Sequence, residues 1–166
     1  MGSKQPVNFG AAREAAEASG ALGTGGFFKV KEGSNRIRLV SNCIPHTDSF
    51  KGRKNFKWLC YVIDRTNGAV RPYFMPHTIY KMVEALQGDP DYTFDSVPMP
   101  YDVTINAKGA GSKEVEYSLL PAKNNVPLTP AEEADVEAQD SLEALQKKIY
   151  EKKEQDQPFD PDAIPA

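Results

Sequence analysis

Phe56-Lys57-Trp58-Leu59-Cys60-Tyr61-Val62-Ile63-Asp64-Arg65-Thr66-Asn67-Gly68-Ala69-Val70-Arg71-Pro72-Tyr73-Phe74-Met75 reads as a β-hairpin. A long apolar strand runs from Phe56 to Asp64, Asn67-Gly68 supplies the turn, and Ala69 to Met75 returns. Opposite residues of an antiparallel pair share a face, and their numbers sum to a constant. A two-residue loop pairs Thr66 with Ala69, and a four-residue loop pairs Asp64 with Ala69. Both sums are odd. Val70, Pro72 and Phe74 therefore share a face with Leu59, Tyr61 and Ile63, and this set is expected in the core. Arg71, Tyr73 and Met75 share the other face with Phe56, Trp58, Cys60 and Val62, which is expected to point outward. A bulge or a three-residue loop would reverse the assignment.

The rest of the domain builds outward from this hairpin. Order begins at Phe27 to Lys31, and Gly33-Ser34-Asn35 is a turn. Arg36 to Val40 alternates cation with aliphatic, which predicts a strand with Ile37 and Leu39 inward and Arg36 and Arg38 outward. Asn42 to Asn55 reads as a polar loop. His77 to Gln87 reads as a helix with Ile79, Met82, Val83 and Leu86 on one face and Gly88 at its end. Tyr101 to Ala107 alternates with Val103 and Ile105 inward, Gly109-Ala110-Gly111 turns the chain, and Val115 to Leu120 is the last strand. Three strands, a helix and two strands is the order of an OB fold, a mainly β, five-stranded Greek-key barrel with a helix between its third and fourth strands. An ordinary α+β sheet with one helix fits the same string.

Residues 1 to 26 are rich in Ala and Gly and read as a flexible arm ahead of the 27–128 barrel. Thr129-Pro130-Ala131-Glu132 is a capping box with proline at the first helical position, which predicts a helix over 129–153. Residues 154–166 are acidic and proline-rich, too poor in apolar groups to fold alone, and are expected as a disordered acidic tail.

The net charge of −3 conceals a strong polarity. Between Lys29 and Lys81 eleven cations face only Glu32, Asp48 and Asp64, a balance of +8. Beyond Lys123 eleven carboxylates face four lysines, a balance of −7. Cys43 and Cys60 are the only cysteines, too few for a disulfide framework, and a reduced, cytoplasmic setting is the simpler reading. No apolar run approaches the ~18 residues of a membrane span, and the N-terminus lacks a hydrophobic signal core.

A sheet face carrying cations and aromatic rings suits single-stranded nucleic acid. Every base has a π-face, so stacking tolerates any sequence, and cations along the groove pair with phosphates. The candidate residues are Arg36, Arg38, Lys51, Arg53, Lys54, Lys57, Trp58, Arg71 and Tyr73. Against this stand two plainer readings: a tryptophan on a strand is more often core than platform, and a cationic surface often serves only solubility. Cys43-x-x-His46 with Cys60 and His77 offers four possible zinc ligands, but Cys60 falls within a strand and His77 opens a helix, so no metal or other cofactor is expected. Gly109-Ala110-Gly111 lacks the Lys-Ser/Thr of a phosphate loop, and no nucleophile–base set stands out. The reading is of a non-enzymatic binding protein.

The stretch Gly33-Ser34-Asn35-Arg36-Ile37-Arg38-Leu39 resembles the opening motif of tailed-phage single-stranded DNA-binding proteins. Trp58 to Asp64, Tyr101 to Ile105, Lys108 to Gly111 and Glu116 to Pro121 are similar in order and spacing, over about residues 27 to 128. The resemblance, to the family that includes the helix-destabilising proteins of T-even phages, implies an OB fold. It also implies protection of single strands in phage replication, recombination or repair within a bacterial host, and an acidic tail that contacts replication or recombination proteins. Two departures stand out. The Cys/His zinc module of the T-even relatives has no counterpart in Asn42 to Asn55. Their basic N-terminal cooperativity motif is absent too, since residues 1 to 26 hold only Lys4 and Arg13 as cations. The ending Asp162-Ala163-Ile164-Pro165-Ala166 is similar to the bacterial acidic-Ile-Pro-Phe terminus without its Phe, for which Phe159 is the candidate substitute. An OB module that binds RNA, or that docks an acidic protein through its basic loop, is the alternative function.

Overall fold

A computed structural model describes residues 26–50 and 53–155. Residues 27–139 form one compact unit, and 140–155 belong to a second. The first unit is mainly β: an open, antiparallel, six-stranded sheet. Its strands are β1 (Gly33–Leu39), β2 (Ile44–Phe50), β3 (Arg53–Asp64), β4 (Ala69–Met75), β5 (Val103–Lys108) and β6 (Glu116–Pro121). Helix α1 (His77–Gln87) follows β4, and α2 (Pro130–Glu137) follows β6. Helix α3 (Leu142–Gln155) lies in the second unit.

The sheet runs β2-β3-β1-β5-β6, with β4 on the other edge of β3. Strand β3 is long enough to pair twice along one edge: its first half with β2, from Phe50↔Arg53 to Ile44↔Leu59, and its last residues with β1, from Leu39↔Val62 to Ile37↔Asp64. The residues expected as a polar loop, Asn42 to Asn55, are therefore mostly a hairpin extension of the sheet. Their polarity misled because β2 pairs with β3 alone, at the end of the strand order, and leaves much of its surface to water.

The hairpin that decides the fold closes with a four-residue loop, Arg65 to Gly68, pairing Asp64 with Ala69 and Trp58 with Met75. Gly68 sits at φ +75°, and Asp64 caps the turn by accepting from the Thr66 amide. The pairing is the expected one, but the faces are exchanged. Cys60, Val62, Tyr73 and Met75 lie in the central core with Ile37, Leu39, Val103, Ile105, Ile79 and Val83. Leu59, Tyr61 and Ile63 are buried on the opposite side. Both faces of β3 are covered from Leu59 to Ile63, so apolar content could not rank them. The amphipathic elements behave as expected: Ile37, Leu39, Val103 and Ile105 point inward, and α1 buries Ile79 and Val83.

The C-terminal helical run is two helices. Thr129 caps α2 with the complete capping box: its hydroxyl accepts from the Glu132 amide, and the Glu132 carboxylate accepts from the Thr129 amide. Helix α2 ends at Ala138. The Ser141 hydroxyl accepts from the Ala144 amide and starts α3, where Lys148 pairs with Asp140 at 2.6 Å. The tail beyond Gln155 and the arm before Gly26 lie outside the described residues. No helix among those described is long and apolar enough to cross a membrane.

Candidate nucleic-acid interface

Four rings gather where the β2–β3 hairpin passes the start of α1. The Trp58 indole stacks on Tyr80 with centroids 3.9 Å apart and planes 10° from parallel. Its Nε1–H donates to His77 Nδ1 at 3.1 Å, which sets those two rings almost coplanar, 21° apart. Phe56 meets Trp58 edge-on at 5.3 Å. Local structure explains the gathering. Phe56 and Trp58 are two apart on β3 and share a face, while His77 and Tyr80 are three apart on the first turn of α1. The β3–β4 register pairs Trp58 with Met75, so the chain enters α1 beside the indole. Phe56 is 45% exposed and His77 is exposed, whereas Trp58 and Tyr80 are half-buried.

Cations surround this shelf. Lys54, on the same strand face as Phe56 and Trp58, is exposed, and so is Lys81, next to Tyr80. Lys57 is exposed on the other face of β3. Arg53 opens β3, and Lys51 lies outside the described residues.

Four expected site residues stand elsewhere. Tyr73 is a core residue at 3% exposure, so it offers no ring to a base; this corrects the outward assignment. Its hydroxyl is buried without a hydrogen-bond partner among the described residues, and burial pushes the phenol pKa far up. Arg38 is also buried, at 1% exposure, and is corrected from groove to structure. The segment Met99 to Asp102 and the carbonyl of Val126 cover its face. Arg38 Nε donates to Asp102 at 2.8 Å, and its Nη1 donates to the Met99 and Val126 carbonyls. Arg71 lies 4.0 Å from Asp64 with a side chain only 17% exposed. Arg36 keeps a side chain 58% exposed while its Nε donates to Asp102 at 3.0 Å.

Asp102 is thus the hub of a charged cluster, accepting from Arg36, Arg38 and Arg65. Burial works to raise its pKa, but the three guanidiniums outweigh burial and hold it below the ordinary carboxylate value. Arg65 also pairs with Glu132, which ties α2 to the β3–β4 turn.

The possible zinc ligands do not converge. Cys43 and Cys60 adjoin as thiol partners, His46 packs on Phe74 at 4.7 Å, and His77 serves Trp58. Among the described residues no three His, Cys, Asp or Glu side chains gather as metal ligands.

Sequence reasoning missed His77 and Tyr80 as site residues, and Asp102 as the partner of the arginines. One signal was present. The β3–β4 sum, continued past Met75, sets His77 opposite Phe56. No family model, curated protein or solved structure matches the chain.

Proposed function

We propose that this protein binds single-stranded DNA without sequence preference. The observation that carries the proposal is the shelf of Phe56, Trp58, His77 and Tyr80 beside the cationic β2–β3 hairpin. Exposed rings offer stacking that any base can use, and Lys54 and Lys81 supply phosphate contacts nearby. The fold supports the same reading. With β1 and β2 counted as one bent strand, the order β4-β3-β1-β5-β6 and a helix after β4 support reading the sheet as the Greek-key path of an OB barrel. The resemblance to tailed-phage single-strand binders points the same way. We read the role as non-enzymatic protection of displaced strands, with the acidic C-terminal segment engaging replication or recombination proteins.

The test is a titration of mixed-sequence ssDNA, dsDNA and ssRNA across a salt series. We expect ssDNA to bind tightest and to weaken steeply with salt, because each neutralised phosphate releases counterion. Equal affinity for duplex, or salt-independent binding, overturns the proposal. Preference for ssRNA would turn it to the RNA-binding alternative.

A further inference from the structure

The turn between β5 and β6 holds an oxyanion. Gly109 and Gly111 take φ of +80° and +84°, conformations that favour glycine. The turn aims successive backbone N–H groups at one point, and a side-chain carboxylate sits there. The Gly109 amide donates to both Glu32 oxygens, at 2.9 and 3.3 Å, and the Ala110 amide donates to one of them at 2.9 Å. Converging backbone amides of this kind form an anion-binding nest.

Both halves are built firmly. The Ser112 hydroxyl donates to the Gly109 carbonyl at 2.7 Å and braces the turn. On the other side Asn35, 9% exposed, accepts from the Lys31 amide and donates to the Lys31 carbonyl, which fixes the chain just before Glu32. The pairing of Gly33 with Ala107 then brings Glu32 alongside Lys108. Lys31, Lys108 and Lys113 are exposed around the turn, and Glu114 and Glu116 are the exposed anions on its β6 side.

We propose that this nest binds a phosphate of the nucleic-acid backbone, and that Glu32 occupies it in the free protein and leaves when ssDNA arrives. The inference rests on the ssDNA-binding reading. A carboxylate and a phosphodiester each present a pair of oxygens with a single negative charge, so the same two amides serve either. The exchange leaves the charge inside the nest unchanged. Glu32 is tethered, so it competes at a local concentration of the order of millimolar and keeps the site closed to dilute anions. The β1–β3 register sets the nest at the Asp64 end of β3 and the ring shelf at its Phe56 end, so an oligonucleotide that fills both runs along the length of β3; held at its bases, it meets the nest at raised local concentration and displaces Glu32.

The experiment compares wild type with Glu32→Gln in the full chain, by ssDNA titration over a salt series and by following the Gly109 and Ala110 amide resonances. We expect E32Q to bind ssDNA several-fold more tightly at low salt. Its log K against log salt should keep the wild-type slope, because the same phosphates are contacted in both proteins and only the competing carboxylate is gone. Both amides should shift as oligonucleotide is added to wild type, and as inorganic phosphate is added to E32Q. Unchanged affinity in E32Q, with amides unmoved by oligonucleotide in wild type, overturns the proposal and makes Glu32 a brace for the turn. Amides that respond to phosphate but not to oligonucleotide overturn it too, since the nest then lies off the DNA path. The wild-type titration separately tests the reading beneath: absent ssDNA binding there removes the function, whatever the phosphate titration of E32Q shows.

Discussion

Phe56→Ala isolates the stacking contribution of the shelf. The ring is 45% exposed and touches Trp58 only edge-on, at 5.3 Å, so its removal leaves the central core intact. The edge contact is worth about 0.5–1.5 kcal/mol, and the fold should lose stability of that order. Trp58 is a poorer probe, because its indole is stacked on Tyr80 and packed against the core. If one base stacks on Phe56, the substitution removes about 1–3 kcal/mol of binding. At 1.4 kcal/mol per tenfold, ssDNA affinity should fall roughly 5- to 150-fold. Phe56→Leu keeps the apolar bulk without the π-face, and it should bind as weakly as the alanine variant. The assay is fluorescence anisotropy of a labelled mixed-sequence oligonucleotide, with thermal melting as the control for folding. Emission from Trp58, the single tryptophan of the chain, should change on saturation because DNA enters beside it. Wild-type affinity in a folded Phe56→Ala protein, with Trp58 emission unmoved by DNA, would refute the stacking argument.

Asp102→Ala strands Arg38, whose side chain is 2% exposed, and breaking a buried pair costs about 3–5 kcal/mol, so melting should fall by roughly 10–20 °C. Wild-type stability should also drop in acid: the Asp102 pKa is depressed on folding, so its contribution is complete above the ordinary carboxylate value and is lost as pH falls through the folded one, as a urea midpoint series would record. If the acidic segment competes for the cations that bind DNA, deleting residues 140–166 should raise ssDNA affinity several-fold at low salt and less at high salt; equal affinity at low salt in the two proteins would leave that segment a solubilising role. A thiol reagent should modify Cys43 before Cys60, since the contact with Cys60 lowers the Cys43 pKa while burial chiefly raises that of Cys60; mass spectrometry of partly labelled protein reads the order.

The legible parts of this fold are those where one side meets water. Arg36-Ile37-Arg38-Leu39 announces its inward aliphatics, and Ile79, Val83, Val103 and Ile105 follow their helical or alternating periods into the core. Strand β3 was legible as a strand but not by face, because Leu59 to Ile63 are buried on both sides. Parity fixed the partners of each residue and left open which set faced inward. Arg38 looked like a groove cation because its counter-charge, Asp102, is sixty-four positions away in sequence. Strand β2 looked like a loop because Ile44 to Phe50 carries His46, Thr47, Asp48 and Ser49 in a row. The basic hairpin and Trp58 were legible as site material. Their ring partners His77 and Tyr80 were not, since on a helix with apolar residues at Ile79 and Val83 they read as ordinary flanking positions.

The burial of Arg38 bears on when the β unit can complete its core during synthesis. Its guanidinium needs oxygens from Asp102, Met99 and Val126, and the last of these lies eighty-eight residues downstream. In a nascent chain that has emerged only through β5 the segment that covers the Arg38 face is missing, so water takes the place of the Val126 carbonyl and the guanidinium stays hydrated. Closure must wait for the segment after β6, and α2 follows within a few residues to bring Glu132 to Arg65. The sheet is therefore locked from its C-terminal side, and a ribosome stalled before Val126 displays an incomplete core to proteases and chaperones.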